Sequence, residues 1–397
     1  MRVVCALLVL FSPFCAFALL SQPVRAQVLT ATVTSLNEPF EVAVTPNGDY
    51  AYVTNGGGWV SAINTATNKI TTTIFDRNGP FGVAVTPNGN YAYVTNGGSG
   101  SVSVISTATN KVTKTISVGN GPFGVAVTPN GAYAYVTNFG SNSVSVISAS
   151  SNTVVATITV GSNPQSLAIT PDSEYVYVTN FGAATVSVIN TATNTVTTTV
   201  DVESGPFGVA VTPNGCYAYV ANSGSGSVSV INTTTNAVTA RIGGLREPLG
   251  VAVTPNGGYA YVANDGSGNV SVISTATNKE TKILTVGSAP YGVAVAPNGA
   301  YVYVTNLNSA SVSVINVDPL LRTSPASHPT STQILTLTPT ATATAFVGAD
   351  GNGASNSNFP IYQQHSVVIV LTTVLTVVVV VAVLVKMKGK EQPAERV

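Results

Sequence analysis

The sequence predicts an all-β fold: a seven-bladed β-propeller of four-stranded blades, with the ring closed by the N-terminal strand, plus one C-terminal transmembrane helix. Three observations lead to this prediction. One motif recurs seven times at a nearly constant spacing. Each repeat divides into four short runs of β-forming residues separated by turn residues. One end of the array carries a single extra run, and the other end lacks one.

The repeat consists of Val-Ala-Val-Thr-Pro-Asn-Gly followed by Tyr-Ala-Tyr-Val-Thr-Asn, with small variations. Its proline makes the period measurable, because successive prolines are 41 residues apart once and 42 residues apart thereafter. These prolines are Pro46, Pro87, Pro129, Pro171, Pro213, Pro255 and Pro297. A period of roughly 40 residues with four strands is typical of a propeller blade. An open β-solenoid is the alternative, but solenoid coils are usually shorter.

The second repeat illustrates the strands of one unit, which we expect at 82–86, 91–95, 101–105 and 111–118. The first two runs are apolar on both faces, as sheets packed between two neighbours require. The fourth alternates polar and apolar residues, which indicates a half-exposed edge strand. Pro-Asn-Gly and glycine-rich segments between the runs are turn signals.

The ends of the array predict how the ring closes. Residues 28–36 look like a fourth strand without the three that should precede it, and the last repeat ends after its third strand at 311–315. We therefore predict that the N-terminal strand completes the last blade, which removes both open sheet edges.

The recurring Tyr-Val-Thr-Asn, as at Tyr52–Asn55 and Tyr303–Asn306, resembles the YVTN family of β-propeller repeats. The resemblance covers residues 28–316, although Ala221 and Ala263 replace the threonine in the fifth and sixth repeats. That family is associated with surface-layer and surface-antigen proteins of archaea and with bacterial envelope proteins. The resemblance therefore implies a cell-surface role and implies no particular activity.

Both ends of the chain predict an association with a membrane. Residues 1–26 carry a positive charge at Arg2 and continue as an apolar run, which is typical of a signal peptide; an uncleaved anchor is the alternative. The uncharged stretch Val367–Val385 predicts a transmembrane helix at 366–385. The lysines that follow predict a cytoplasmic tail at 386–397. We expect a single-pass protein of the cell membrane with an extracellular propeller and a cytoplasmic C-terminus.

The propeller, assigned to 27–322, is followed by a segment at 323–364 that is rich in Thr, Ser, Ala and Pro. Such a composition predicts an extended stalk, either O-glycosylated or an unmodified spacer. Asn232 and Asn269 each begin an Asn-X-Ser/Thr triplet and are candidate N-glycosylation sites.

The composition excludes several classes of function. Fifteen basic and fifteen acidic residues give no net charge, so we expect no binding to nucleic acid. Both histidines, His328 and His365, lie outside the repeats, and Cys216 is the single cysteine beyond the leader. We therefore expect no catalytic residue, no cofactor and no metal, and we expect that the protein is not an enzyme. The scattered acids, including Glu41 in place of a glycine and Asp76, are interpreted as solvated turn residues.

The loops that enter each inner strand should lie on the same face as the loops between the second and third strands, and the repeats differ most there. Candidate residues for a partner face are Trp59, Arg77, Phe139, Phe181 and Arg246. Aromatic side chains with scattered polar groups suit a glycan or a protein. One recurring position in these loops is expected to cap the blade cores; it holds Phe40, Phe81, Phe123, Gln165, Phe207, Leu249 and Tyr291.

The sequence favours a structural or adhesive role at the cell envelope, like that of a surface layer, with an envelope protein or glycan as partner or with self-association. An extracellular ligand-binding module for a glycan or a protein is the first alternative. An enzyme acting on an envelope substrate is the second.

Overall fold

The computed structural model describes residues 27–76 and 78–317. These residues form seven antiparallel sheets of four strands each, which confirms the all-β seven-bladed propeller. The predicted signal peptide, stalk, membrane span and tail lie outside the described residues. Within the described ranges, no helix is long and apolar enough to cross a membrane.

The four strands of each blade are named a to d from the channel outward. The a strands are β2 (Pro39–Val44), β6 (Pro80–Val85), β10 (Pro122–Val127), β14 (Pro164–Ile169), β18 (Pro206–Val211), β22 (Pro248–Val253) and β26 (Pro290–Val295). The b strands are β3 (Tyr50–Asn55), β7 (Tyr91–Asn96), β11 (Tyr133–Asn138), β15 (Tyr175–Asn180), β19 (Tyr217–Asn222), β23 (Tyr259–Asn264) and β27 (Tyr301–Asn306).

The outer half of each blade is built in the same way. The c strands are β4 (Trp59–Asn64), β8 (Ser101–Ser106), β12 (Ser143–Ser148), β16 (Thr185–Asn190), β20 (Ser227–Asn232), β24 (Asn269–Ser274) and β28 (Ser311–Asn316). The d strands are β5 (Lys69–Phe75), β9 (Lys111–Ser117), β13 (Thr153–Thr159), β17 (Thr195–Asp201), β21 (Ala237–Gly243), β25 (Lys279–Thr285) and β1 (Val28–Val33). Two b-to-c loops contain a short 3₁₀ turn, at Phe139–Ser141 and Asp265–Ser267.

The N-terminal strand closes the ring, as the permuted ends of the repeat array predicted. β1 pairs antiparallel with β28, from Val28 opposite Asn316 to Val33 opposite Val312. The seventh blade therefore consists of β26, β27 and β28 from the end of the array and β1 from its start.

The hydrophobic core lies between neighbouring blades. In the cluster between the second and third blades, Tyr93 and Val104 pack with Val136 and Ile147, and all four are essentially inaccessible to solvent. The d strands lie at the outer edge and alternate; in β5 only Ile74 is buried. This arrangement explains why the b strands are apolar on both faces and the d strands on one.

In the first five repeats, the second tyrosine of the motif bonds to the c-to-d turn of the next blade. Tyr93 is fully buried, and its hydroxyl donates to Oδ1 of Asn152, 2.7 Å away in the c-to-d turn of the third blade. The same bond joins Tyr52 to Asn110, Tyr135 to Asn194, Tyr177 to Asn236 and Tyr219 to Asn278. The turn asparagines have positive φ angles, such as +51° at Asn110, a conformation that asparagine tolerates better than most residues.

The motif threonine forms a second bridge between blades, next to the channel. Oγ1 of Thr95 accepts the amide of Gly82 in its own blade at 2.7 Å and donates to the carbonyl of Phe123 in the next blade. The donated bonds at Thr54, Thr95, Thr137, Thr179 and Thr305 measure 2.5 to 2.7 Å. The bond from Thr305 reaches the carbonyl of Phe40 and so links the last blade to the first.

We expect Tyr93→Phe to lower the free energy of unfolding by about 1 kcal/mol, because it removes the bond to Asn152 while keeping the buried ring. Tyr91→Phe is the matched control, since Tyr91 lies on the same strand with 40% of its surface exposed. Denaturant unfolding of the purified chain measures both changes. Equal losses in the two variants would show that the bond between blades adds no stability.

Candidate functional site

The d-to-a and b-to-c loops meet at one end of the ring, which we call the loop face. The amide of Phe139 donates to the carbonyl of Gly121 at 2.9 Å, and the amide of Phe181 donates to the carbonyl of Asn163 at 3.1 Å. The a-to-b and c-to-d turns meet at the opposite end, which we call the turn face; there the amide of Thr107 donates to the carbonyl of Asn90.

Aromatic side chains pack across the channel at the loop face. The rings of Phe40, Phe81, Phe123, Phe207 and Tyr291 form a closed circuit, which we call the aromatic ring, with centroids 4.6 to 5.7 Å apart. The prediction that these residues cap the blade cores is therefore wrong. The physical reason is a β-bulge in every a strand, such as the register shift between Pro80 and Val83, which takes Phe81 out of the ladder at the channel.

A cavity of about 160 Å³ borders the aromatic ring inside the channel. Its lining combines aromatic rings, glycines and valines with the carboxyl group of Glu41, the amide of Gln165 and the phenol of Tyr291. No lysine, arginine or histidine is among the described residues that line it. The cavity is therefore a small, largely apolar space with one carboxyl group.

Glu41 stands where five other a strands have glycine and one has Ser166. Burial raises the pKa of its carboxyl from an ordinary 4.5 to about 7, and a hydrogen bond from the backbone of Val42 offsets only part of that shift. The side chain is surrounded by protein but still borders the cavity, which accounts for its partial exposure. The interpretation of Glu41 as a solvated turn residue is therefore wrong, because the strand start lies in the channel.

Further acidic groups lie on the loops around the cavity. Burial raises the pKa of the Asp265 carboxyl, and the nearby charge of Glu247 and a hydrogen bond to it raise that pKa further. Burial likewise raises the pKa of Tyr291, and the charges of Glu41 and Asp265 add to the effect. Glu41 and Asp265 are thus both close enough to Tyr291 to influence its pKa.

Asp76 is also buried, with 8% of its surface exposed, so its interpretation as a solvated residue is wrong. Asp76 lies in the loop before β6. At the equivalent positions of the next two repeats, Val118 and Val160 pack against the hydrophobic cores. Oδ1 of Asp76 accepts hydrogen bonds from Ser103 at 2.9 Å and from Asn78 at 3.0 Å, whereas Oδ2 has no partner among the described residues.

The loop face carries the described candidate partner residues, but they do not converge on one site. Phe139 borders an apolar groove of about 260 Å³, lined by Phe81, Gly97, Gly121, Pro122, Phe123, Phe139 and Gln165, which we call the loop-face groove. Phe181 is 39% exposed at the equivalent position of the next blade. Trp59 is half-buried at the start of β4, and Arg246 is exposed in the loop before β22. Arg77 lies outside the described residues.

The two candidate glycosylation sites lie at opposite faces. Asn232 ends β20 at the turn face, where its Oδ1 accepts the amides of Thr234 and Thr235 at 3.0 Å. Asn269 begins β24 at the loop face, and its Oδ1 accepts Nδ2 of Asn264 at 2.8 Å. Both side chains are half-buried.

Two features were missed by sequence reasoning. Gln165 is 7% exposed, and its Oε1 has no hydrogen-bond partner within the described ranges, whereas the sequence shows it only as a replacement of phenylalanine. The channel position of Glu41 was also missed, although its replacement of glycine was a usable signal.

In the described part of the chain, no group of three potential metal-ligand side chains occurs.

Seven four-stranded blades around a channel define a β-propeller, and the comparisons with known proteins agree. The family model described as "Lactonase, 7-bladed beta-propeller" matches residues 71–200 and 161–324, which together span more than half of the chain. The chain belongs to this family. No curated protein matches it. A solved chain of Kuenenia stuttgartiensis hydrazine synthase is similar, with 26% sequence identity and a TM-score of 0.66, over 72% of this chain and 98% of that chain.

The raised pKa of Glu41 predicts a pH-dependent stability. Between pH 4.5 and 7 the folded protein holds a proton that the unfolded chain has released, so the free energy of unfolding falls as pH rises through this window. The full shift corresponds to on the order of 3 kcal/mol. Denaturant unfolding at pH 5 and pH 8 should show this loss in the native protein and not in Glu41→Gly. The exposed Glu174 provides a control, since Glu174→Gln should keep the native pH dependence.

Proposed function

We propose that the protein is a non-enzymatic binding module of the cell envelope, which holds a protein or glycan partner on its loop face and serves a structural or adhesive role there. The observation that carries the proposal is the loop-face groove. Its lining includes Phe81, Phe123 and Phe139 together with the amide of Gln165. Aromatic rings beside a polar group suit sugar rings and the apolar anchors of a protein partner.

The distribution of sequence variation supports the loop face over the turn face. The turn face repeats the same Thr-Pro-Asn-Gly chemistry in most blades, with the threonine hydroxyl bonded inside its own turn, as at Thr86 and Asn88. At the loop face the corresponding positions are Gly97, Phe139, Phe181 and Asp265 in different blades. A partner that binds the loop face therefore contacts side chains that differ from blade to blade, whereas the turn face presents nearly identical turns.

Display at the cell surface is part of the same proposal. The predicted signal peptide at 1–26, the stalk at 323–364 and the span at 366–385 would place the propeller outside a membrane, with the tail inside. The resemblance to YVTN repeats supports an envelope location of the surface-layer kind. Self-association of the propellers is one form that this role would take.

We expect Phe139→Ala with Phe181→Ala to weaken binding of the purified chain to its native envelope fraction at least tenfold, because large apolar anchors are removed. Tyr91→Ala is the matched control, being 40% exposed on the turn face. Periodate treatment of the envelope tests a glycan partner and protease treatment tests a protein partner. Binding that survives the double substitution would overturn the proposed face, and concentration-dependent assembly in ultracentrifugation without envelope would identify self-association.

An enzyme is the second candidate, favoured by one observation. The family description names a lactonase, and Glu41 has a pKa near neutrality within a cavity, as a general base requires. Under our proposal the chain hydrolyses aliphatic lactones no faster than its Glu41→Gly variant does. Turnover by the native chain that the variant loses would establish the enzyme instead.

A further inference from the structure

We propose that the channel cavity beside the aromatic ring binds a small organic ammonium cation, with Glu41 as its counter-ion. The inference goes beyond the loop-face function: Phe81, Phe123 and Gln165 line both spaces, but Glu41 lines only the channel cavity and its variants test this inference separately. Three independent features of the cavity support it: an unpaired carboxyl group, an unsatisfied amide oxygen and aromatic walls.

Among the described residues that line the cavity, none places a positive charge beside the carboxyl group of Glu41. The titratable side chains on the strands packed against β2 are all tyrosines: Tyr50, Tyr52, Tyr291, Tyr301 and Tyr303. Glu38, Glu247 and Asp265 add negative charge from the loops, and Arg246 is exposed in its loop. A buried carboxylate without a cationic partner is costly, so a bound cation would be strongly favoured.

Gln165 supplies a second acceptor for the same ligand. It also lines the cavity, and only 7% of its surface is exposed. Its Oε1 finds no hydrogen-bond partner among the described residues. A buried acceptor that lacks a donor carries a penalty of roughly 1 to 3 kcal/mol, which an N–H group of a ligand would relieve. The cavity thus offers acceptors and no cationic donor from its described lining.

The aromatic walls select a cation over other ligands that could donate hydrogen bonds. All five members of the aromatic ring line the cavity. The faces of such rings attract ammonium groups, most strongly where water is excluded. An anion would be repelled by Glu41, and a neutral molecule would leave its charge uncompensated.

The volume limits the size of the ligand. The cavity of about 160 Å³ lies below the roughly 300 Å³ typical of sites for drug-sized molecules. A primary amine or a methylated ammonium ion of a few heavy atoms is therefore the class of ligand that fits. The amine end of a longer molecule would fit as well.

Binding should be coupled to the protonation of Glu41. In the absence of a ligand its pKa is about 7, so the carboxyl is partly protonated near neutrality. A cation beside it favours the charged form, and binding then releases a proton. Affinity should consequently rise between pH 5.5 and pH 8.

The test is titration calorimetry of the purified full chain with methylammonium and tetramethylammonium chloride. We expect saturable binding at pH 8 that weakens at least tenfold at pH 5.5, with proton release detected in buffers of different ionisation enthalpy. Tert-butyl alcohol, a neutral molecule of similar size, should not bind. Absence of saturable binding at pH 8, or equal binding of the alcohol, would overturn the proposal.

Two variants assign the binding to Glu41. Glu41→Gly introduces the residue found at this position in five other blades, so the fold should tolerate it. Glu41→Gln keeps the shape of the side chain and removes its charge. Both should weaken ammonium binding at least tenfold, whereas Glu174→Gln, at an exposed turn, should not change it. Native affinity in either Glu41 variant, with folding confirmed by circular dichroism, would contradict the assigned site.

Discussion

The whole ring depends on hydrogen bonds that cross from one blade to the next. A single four-stranded sheet of this sequence has two apolar faces and cannot cover both by itself. The motif provides the connection: its tyrosine hydroxyl reaches the c-to-d turn of the next blade, and its threonine hydroxyl reaches the next a strand. The threonine bond is absent from the fifth and sixth blades, where Ala221 and Ala263 replace threonine, and the ring closes where Thr305 meets Phe40 and β1 joins β28.

The same close approach of blades restricts the residues that line the channel. A Cβ atom added at Gly82 would lie 2.4 Å from the carbonyl oxygen of Phe123, and one added at Gly208 would lie 2.3 Å from that of Leu249. Glycine at this position therefore serves the packing of adjacent a strands. Glu41 departs from that pattern and brings a carboxyl group into the channel, so the seven-fold repetition is broken there by a titratable group.

The repeated residues form a structural scaffold, and the residues that differ between repeats are concentrated at the loop face and in the channel. The tyrosine, valine and asparagine of the motif are buried in every blade, and their roles are structural. Variation is concentrated in the loop-face residues and in the channel, where neighbouring blades supply different side chains to one space. Both candidate sites lie between blades, and a single repeat could form neither of them.

Much of the fold was predictable from the sequence by itself. The spacing of the prolines determined the number of blades, the alternation in segments such as Lys111–Ser117 determined the outer strands, and the unmatched strand at Val28–Val33 determined the closure. These features follow from local patterns and from strand pairing. Only the tertiary structure decided the surroundings of Glu41, Asp76 and Gln165, and the packing of the phenylalanines across the channel instead of over the blade cores. The physical reason is that these environments are set by β-bulges and by the distance between seven sheets, to which residues from distant repeats contribute together.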